Sequence, residues 1–148
     1  MRRTVAAPAA DVWALLVDWP SHGRWVPLTT VTTTSPSAAG VGASFVGRSG
    51  VGPLAFDDPM VVTAWQPPDG DTAGRCAIRK TGRVVLGDAA FSVTPRGAAS
   101  CEVEWTETIE VAGVRRVPLV GRLSDLVGRL TFTRVVRAMA VEAEQSLA

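Results

Sequence analysis

The chain has 148 residues, of which 47% are hydrophobic and 20% charged, and its 15 basic and 14 acidic side chains leave a formal net charge of +1. This composition indicates one folded domain over residues 1–148 and excludes bulk disorder. A nucleic-acid binder would normally carry a clear basic excess, and no apolar run approaches the roughly 18 residues of a membrane-spanning helix. We therefore expect a cytoplasmic protein with no nucleic-acid partner and no stable membrane insertion.

The residue types that carry metal and redox chemistry are scarce. Cys76 and Cys101 form neither a metal-binding spacing nor a disulfide framework. We expect both to be reduced, because one predicted strand separates the two strands that carry them. His22 is the only histidine, which excludes a multi-histidine metal site, and its polar neighbours favour a surface or capping side chain over a general base. We expect no metal and no cofactor.

The N-terminal quarter of the chain predicts a short strand followed by two helices. Residues 2–6 can form the strand. Helix-spaced apolar residues predict the first helix over residues 8–19, and Pro20 follows its end. Ser21 can cap a second, very short helix that ends before Pro27.

After Pro27 the sequence changes to valine- and threonine-rich runs that are separated by glycine and proline. Six strands follow from this pattern, over residues 28–34, 42–48, 54–66, 75–80, 83–94 and 101–111. The turn residues between them predict an antiparallel meander. The last strand alternates most clearly, with Val103, Trp105 and Ile109 on its apolar face. Glu107 falls on that same face.

The sequence becomes helical again from Pro118 to the C-terminus. One apolar stripe contains Phe132, Val136 and Met139. The leucines before Gly128 form a second stripe that is rotated from the first. We therefore expect a break or kink near Gly128.

Several modest sequence matches, spread over the whole chain, carry a family resemblance: residues 7–18 (APAADVWALLVD), Trp19, Trp25, Pro27, Gly42, residues 62–68 with their final Pro-Pro, and Val103-Glu104-Trp105. With the order of elements, they make the chain resemble the START-like or helix-grip superfamily (SRPBCC), in its polyketide cyclase/dehydrase-like branch. The resemblance implies an α+β helix-grip fold, in which a curved antiparallel sheet of about seven strands, two short helices and a long C-terminal helix enclose a cavity.

Members of this superfamily use the cavity to bind lipids, sterols, polyketides or hormones, and some cyclise or dehydrate the ligand. Here the inward strand positions, the short helices and the C-terminal stripe predict the lining residues Trp25, Phe45, Met60, Ile78, Phe91, Trp105, Phe132 and Val136. Glu107 would be the principal polar group of this pocket, and burial would raise its pKa.

Two other charged features lie outside this set of lining residues. Asp57-Asp58-Pro59 predicts a bulge or turn rather than paired catalytic carboxylates, because neighbouring residues of an extended chain point to opposite faces. Alternation leaves open which face Arg79 takes.

Three functions are compatible with this sequence. We favour binding of a small hydrophobic or amphipathic molecule, lipid- or polyketide-like, because the chain contains no tyrosine and no second acid or base that converges on Glu107. Aromatase/cyclase members of the superfamily tend to use pocket tyrosines and arginines. The enzyme alternative is a polyketide cyclase or dehydratase with Glu107 as the proton-transfer group and Trp25 as a wall. A further alternative is a protein-interaction module that uses the cavity rim.

Overall fold

The computed structural model describes residues 1–111, 137–139, 141–142 and 145. Its strands are β1 (Arg2–Val5), β2 (Thr29–Thr33), β3 (Ser44–Ser49), β4 (Phe56–Gln66), β5 (Gly74–Thr81), β6 (Val85–Pro95) and β7 (Cys101–Val111). Its helices are α1 (Ala9–Val17) and α2 (His22–Trp25), with 3₁₀ turns at Trp19–Ser21 and Gly52–Leu54. The described residues from 137 onward are helical. The rest of the predicted C-terminal helix, with its kink at Gly128, lies outside the described residues.

The strands form one curved antiparallel sheet in the order β1-β7-β6-β5-β4-β3-β2. The predicted meander from β2 to β7 is confirmed. The N-terminal strand β1 pairs with β7 and forms one edge of the sheet, and β2 forms the other edge. The β6–β7 register runs without interruption from Val85–Val111 to Pro95–Cys101. This long register fixes which residues of β7 share a face, and it therefore fixes the position of Glu107.

The prediction of a bulge or turn at Asp57-Asp58-Pro59 is wrong, because all three residues lie within β4. Pro59 pairs with Val46 on the β3 side, whereas the β4–β5 register begins one residue later. That ladder therefore requires no N–H from Pro59. The register shift of β4 occurs further along, between residues 62 and 64.

Helix α1 covers one face of the sheet, which we call the inner face. Val12, Trp13 and Leu16 are its large buried side chains. The Trp13 ring packs edge-on against Trp65, with 5.3 Å between ring centroids, and it also contacts Phe91. Four of the strand residues that the inner face buries are Cys76, Ile78, Phe91 and Val103.

Gly74, at the start of β5, permits the close approach of α1 to the sheet. A Cβ at this position would lie 2.8 Å from Trp13 Cε3 and 2.6 Å from Pro68 Cδ. Both distances are shorter than carbon atoms tolerate, so a larger residue would push the helix away from the sheet.

The two cysteines are buried and not bonded to each other. They lie on β5 and β7, and β6 runs between these strands as the sequence predicted. Burial raises the pKa of the Cys76 thiol to about 12 and that of Cys101 to about 11. Both thiols are therefore protonated at neutral pH.

Candidate functional site

A charged cluster lies on the inner face and consists of Asp58 from β4, Lys80 from β5 and Glu107 from β7. Lys80 Nζ lies 2.6 Å from Asp58 Oδ2 and 3.4 Å from Glu107 Oε1. The three side chains are only 8–14% exposed. Alternation places these residues in phase with buried apolar neighbours such as Val62, Ile78 and Val103. The strands therefore hold the three charges against the core.

The polar atoms of this charged cluster are not all matched. Asp58 Oδ1 is buried and accepts no hydrogen bond from any residue that the structure describes. Lys80 Nζ has three N–H groups, and besides the two carboxylates it reaches Met60 Sδ at 3.8 Å. A thioether sulfur is a weak acceptor. One carboxylate oxygen and one ammonium hydrogen thus lack a good partner within the described chain.

The pKa of Glu107 reflects its burial first and then the charges around it. Two carboxylates face one ammonium, so full ionisation would leave a negative charge in a poorly hydrated place. Burial raises the pKa of Glu107, the charge of Lys80 lowers it, and the charge of Asp58 raises it further. The predicted direction of this pKa shift is confirmed. Glu107 therefore takes up a proton more readily than an exposed glutamate does.

Each residue of the charged cluster faces a glycine or alanine across the sheet. Asp58 pairs with Gly47, Lys80 with Gly87, and Glu107 with Ala89. A directly opposed residue is the nearest cross-strand neighbour on the same face. The large neighbour is Met60, which faces Lys80 on its other side and whose methyl carbon would lie 3.5 Å from a Cβ added at Gly47.

Apolar and aromatic side chains adjoin the cluster on the inner face. Phe91 and Trp105 stack with 5.1 Å between ring centroids and 18° between ring planes, and Trp105 lies two residues before Glu107 on the same strand. Ile78 is buried, and Met60 is half-buried beside Lys80. The arrangement is a polar end next to an aromatic and aliphatic surface.

The predicted lining residues therefore fall into two groups. Met60, Ile78, Phe91 and Trp105 lie around Glu107 on strands β4 to β7. Trp25 and Phe45 lie under the short helices, and Phe45 is also the direct cross-strand neighbour of Met60, so the two groups meet there. The other two predicted residues, Phe132 and Val136, lie outside the described residues, and the predicted cavity remains a prediction.

A chain of aromatic contacts holds the second group. Phe45 stacks on Trp19 at 4.3 Å, Trp19 contacts His22 at 5.6 Å, and His22 contacts Trp25 at 5.1 Å. Trp25 Nε1 donates a 2.7 Å hydrogen bond to Glu142 Oε2 in the C-terminal helical residues. Trp25 thus connects α2 to the C-terminal part of the chain.

His22 is enclosed and not on the surface, but the predicted capping role fits, because its ring binds a carbonyl in the last turn of α1. Its ring lies between Trp19 and Trp25, and its Nε2 donates a 2.8 Å hydrogen bond to the carbonyl oxygen of Leu16. Burial lowers the pKa of His22. The two tryptophans enclose the histidine, which is why polarity of the local sequence gave the wrong environment.

The outer face of the sheet carries ordinary surface ion pairs. Arg48 pairs with Asp57, and Arg79 pairs with Asp88, each at 2.9 Å, and all four side chains are more than half exposed. The face of Arg79, which the sequence left open, is therefore the outer one. Asp57 and Asp58 point to opposite faces, as extended backbone requires.

The expectation that no second acid or base converges on Glu107 is wrong, because Lys80 and Asp58 both lie in its cluster. The available signal was the period of two in β5, where Cys76, Ile78 and Lys80 alternate with exposed Arg75 and Arg79. A lysine in phase with two buried residues requires a buried carboxylate partner.

Three further features of the described residues bear on the site. They contain no group of three or more His, Cys, Asp or Glu side chains that could hold a metal ion. None of their helices is long and apolar enough to cross a membrane. An open groove of about 420 Å³ lies at one end of the sheet between Leu28 and Ala55, and none of the predicted lining residues contributes to it.

Comparisons with known proteins concern the fold. No protein-family model and no curated protein matches the chain. A solution NMR structure from Thermobifida fusca is 26% identical, with 98% of this chain and 93% of that chain covered and a TM-score of 0.66. A START superfamily protein from Mycobacterium smegmatis is 15% identical, with 98% and 95% covered and a TM-score of 0.74. An aromatase/cyclase from a Streptomyces species is 20% identical, with 100% and 93% covered and a TM-score of 0.72. The chain has a START-like fold.

Proposed function

We propose that the protein binds a small hydrophobic or amphipathic molecule, lipid- or polyketide-like, on the inner face of its sheet. The proposed site is bounded by Met60, Ile78, Phe91 and Trp105, and Glu107 lies at its polar end. Phe132 and Val136 of the C-terminal segment, together with Trp25 and Phe45, would complete the wall. The similarity to a START superfamily protein and to an aromatase/cyclase supports a ligand-binding fold.

The charged cluster is the observation that carries this proposal. Burying two carboxylates and one ammonium costs free energy that their mutual attraction offsets only partly, and apolar residues of similar size are often at least as stabilising. A cluster of this kind on an apolar face is therefore better explained by ligand recognition than by stability. Sites for small molecules typically combine an apolar lining with a few convergent polar groups.

A pair of neighbouring alanines on β6 provides the test. Ala89 faces inward opposite Glu107, whereas Ala90 faces outward opposite Thr106. We expect Ala89→Val to weaken ligand binding at little cost in stability, and Ala90→Val to leave binding unchanged. Native mass spectrometry of protein purified from its own host would show whether a ligand is retained and would give its mass. If Ala89→Val instead destabilises the fold by about 1–3 kcal/mol, the inner face is a filled core and the proposed site is absent.

The raised pKa of Glu107 supports a second function, proton transfer to or from a bound polyketide-like substrate. A carboxyl group with a raised pKa keeps its proton to a higher pH, so it can donate and accept protons during turnover. Under this hypothesis Glu107→Gln abolishes turnover and preserves binding. Under the binding hypothesis the same change alters only the affinity or its pH dependence. If the unmodified protein shows neither ligand binding nor turnover, the interaction-module alternative is favoured.

A further inference from the structure

The unmatched atoms of the charged cluster define what a ligand must supply. Asp58 Oδ1 is a buried acceptor without a donor among the described residues. Lys80 directs a donor toward a thioether 3.8 Å away, which is a poor acceptor. The two atoms belong to side chains that are joined by a 2.6 Å contact. They are therefore close enough for one small group to serve both.

We propose that this pair of atoms binds a phenolic or enolic hydroxyl of the ligand, an inference that rests on the proposed binding function. The hydroxyl donates its hydrogen to Asp58 Oδ1, and its oxygen accepts a hydrogen bond from Lys80 Nζ. Both hydrogen bonds involve a charged protein group, and such bonds are the stronger ones in proteins.

Other polar groups satisfy the pair less well. A carbonyl or ether oxygen accepts from Lys80 but gives no hydrogen to Asp58. An ammonium gives hydrogens to Asp58 but places a second positive charge beside Lys80. A hydroxyl on an aromatic or enol carbon is a stronger donor than an alkyl hydroxyl, and the flat group that carries it can pack against the Phe91–Trp105 stack.

Met60 occupies the space beside the pair, so binding of such a group requires that this side chain move. Asp58 faces Gly47 and Lys80 faces Gly87, but Lys80 also faces Met60 on its other side, and the Met60 methyl carbon would lie 3.5 Å from a Cβ added at Gly47. Met60 lies against the ammonium, and a methionine side chain adapts its conformation at low cost. Displacement of the Met60 thioether by the ligand exchanges a weak acceptor for a hydroxyl oxygen.

The first test compares two probes that differ only in whether their oxygen carries a hydrogen or a methyl group. The affinities of 2-naphthol and 2-methoxynaphthalene are measured by NMR chemical-shift titration of the isotope-labelled protein. We expect 2-naphthol to bind about tenfold more tightly, because the methyl ether loses the hydrogen bond to a charged acceptor. Equal affinities would overturn the hydroxyl proposal and leave the binding function standing. Binding of neither probe would overturn both.

The second test replaces Asp58 by asparagine. The amide oxygen must face the Lys80 ammonium, so the amide nitrogen takes the place of Oδ1. An amide nitrogen cannot accept a hydrogen bond from the ligand hydroxyl. We expect Asp58→Asn to abolish or reverse the preference for 2-naphthol while 2-methoxynaphthalene still binds. Asp57→Asn, on the outer face of the same strand, should keep the preference. Retention of the preference in folded Asp58→Asn would overturn the proposal, and if that variant fails to fold, the two-probe comparison on the unmodified protein decides.

Discussion

Glu142 Oε2 accepts a 2.7 Å hydrogen bond from the indole nitrogen of Trp25, a residue 117 positions earlier in the chain. The other oxygen of the same carboxylate accepts from Arg24. Trp25 is 8% exposed, and the two partners of Glu142 are adjacent in α2. One carboxylate therefore connects the short helices to the C-terminal helical residues.

Trp25→Phe should loosen this connection while it keeps an aromatic ring in place. The variant loses one partly buried hydrogen bond, so we expect the free energy of unfolding to fall by about 1 kcal/mol. Amide hydrogen exchange near Glu142 should also become faster. Arg24→Gln is the control, because a partly exposed ion pair contributes at most about 1 kcal/mol and often much less. Unchanged stability and exchange in Trp25→Phe would show that the indole bond does not hold the C-terminal residues.

Lys80→Met should be strongly destabilising, whereas Arg79→Met should not. Loss of Lys80 leaves two buried carboxylates without a cation, and breaking a buried pair in this way costs about 3–5 kcal/mol. Arg79 directly precedes Lys80 and points to the opposite face of the sheet. The side chains of Arg79 and its partner Asp88 are each 62% exposed. We expect a change of at most about 0.5 kcal/mol there. Urea unfolding at pH 7.5 measures both.

Two outcomes would contradict this account of the cluster. If Lys80→Met and Arg79→Met lower the free energy of unfolding equally, Lys80 is not an electrostatic partner of the inner-face carboxylates. A deficit in Lys80→Met that does not shrink between pH 7.5 and pH 5 would also contradict it, because protonation of Glu107, whose pKa is raised, should relieve part of the unpaired charge.

The fold was largely predictable from the sequence because a strand with one buried face alternates with a period of two. The strand Cys101–Val111 was predicted with the bounds that the structure has. The position of Glu107 on the apolar side of that strand followed from the same alternation. The segment around Pro59 was mispredicted because local sequence cannot show where a neighbouring ladder begins.

The partners of Glu107 could not be obtained in the same way. Contact between Lys80 and Asp58 depends on the register of β4 against β5, and that register is set by the hairpin connection over residues 67–73 and by a shift between residues 62 and 64. A slip of one residue would have moved either charge to the outer face. Alternation within one strand gives a side chain its face, whereas pairing between strands gives it its neighbours.

Native protein should resist thiol modification at both cysteines. Cys76 and Cys101 are at most 2% exposed, and burial raises their pKa to about 12 and about 11 respectively. The thiolate is the reactive form, and it is scarce at pH 8 under these conditions. We expect iodoacetamide to label neither residue in native buffer and both in urea, as measured by mass spectrometry. Rapid labelling of either cysteine in native buffer would show that its strand opens.

The last prediction concerns the pH dependence of stability. The folded state raises the pKa of Glu107 above its ordinary value of about 4.5. In the pH range between the ordinary and the raised value, the folded state binds more protons at this residue than the unfolded state does. The contribution of Glu107 to the free energy of unfolding is therefore fully present below the ordinary value and is lost as pH rises through the raised value.

Glu107→Gln removes this dependence, so its stability should fall less than that of the unmodified protein between pH 4.5 and 7.5 in urea titrations. Glu104→Gln, on the outer face of the same strand, keeps Glu107 and should follow the unmodified protein. If the free energy of unfolding of Glu107→Gln follows that of the unmodified protein over this pH range, Glu107 is hydrated rather than buried. That result would rule out both its place in the charged cluster and proton transfer by this residue.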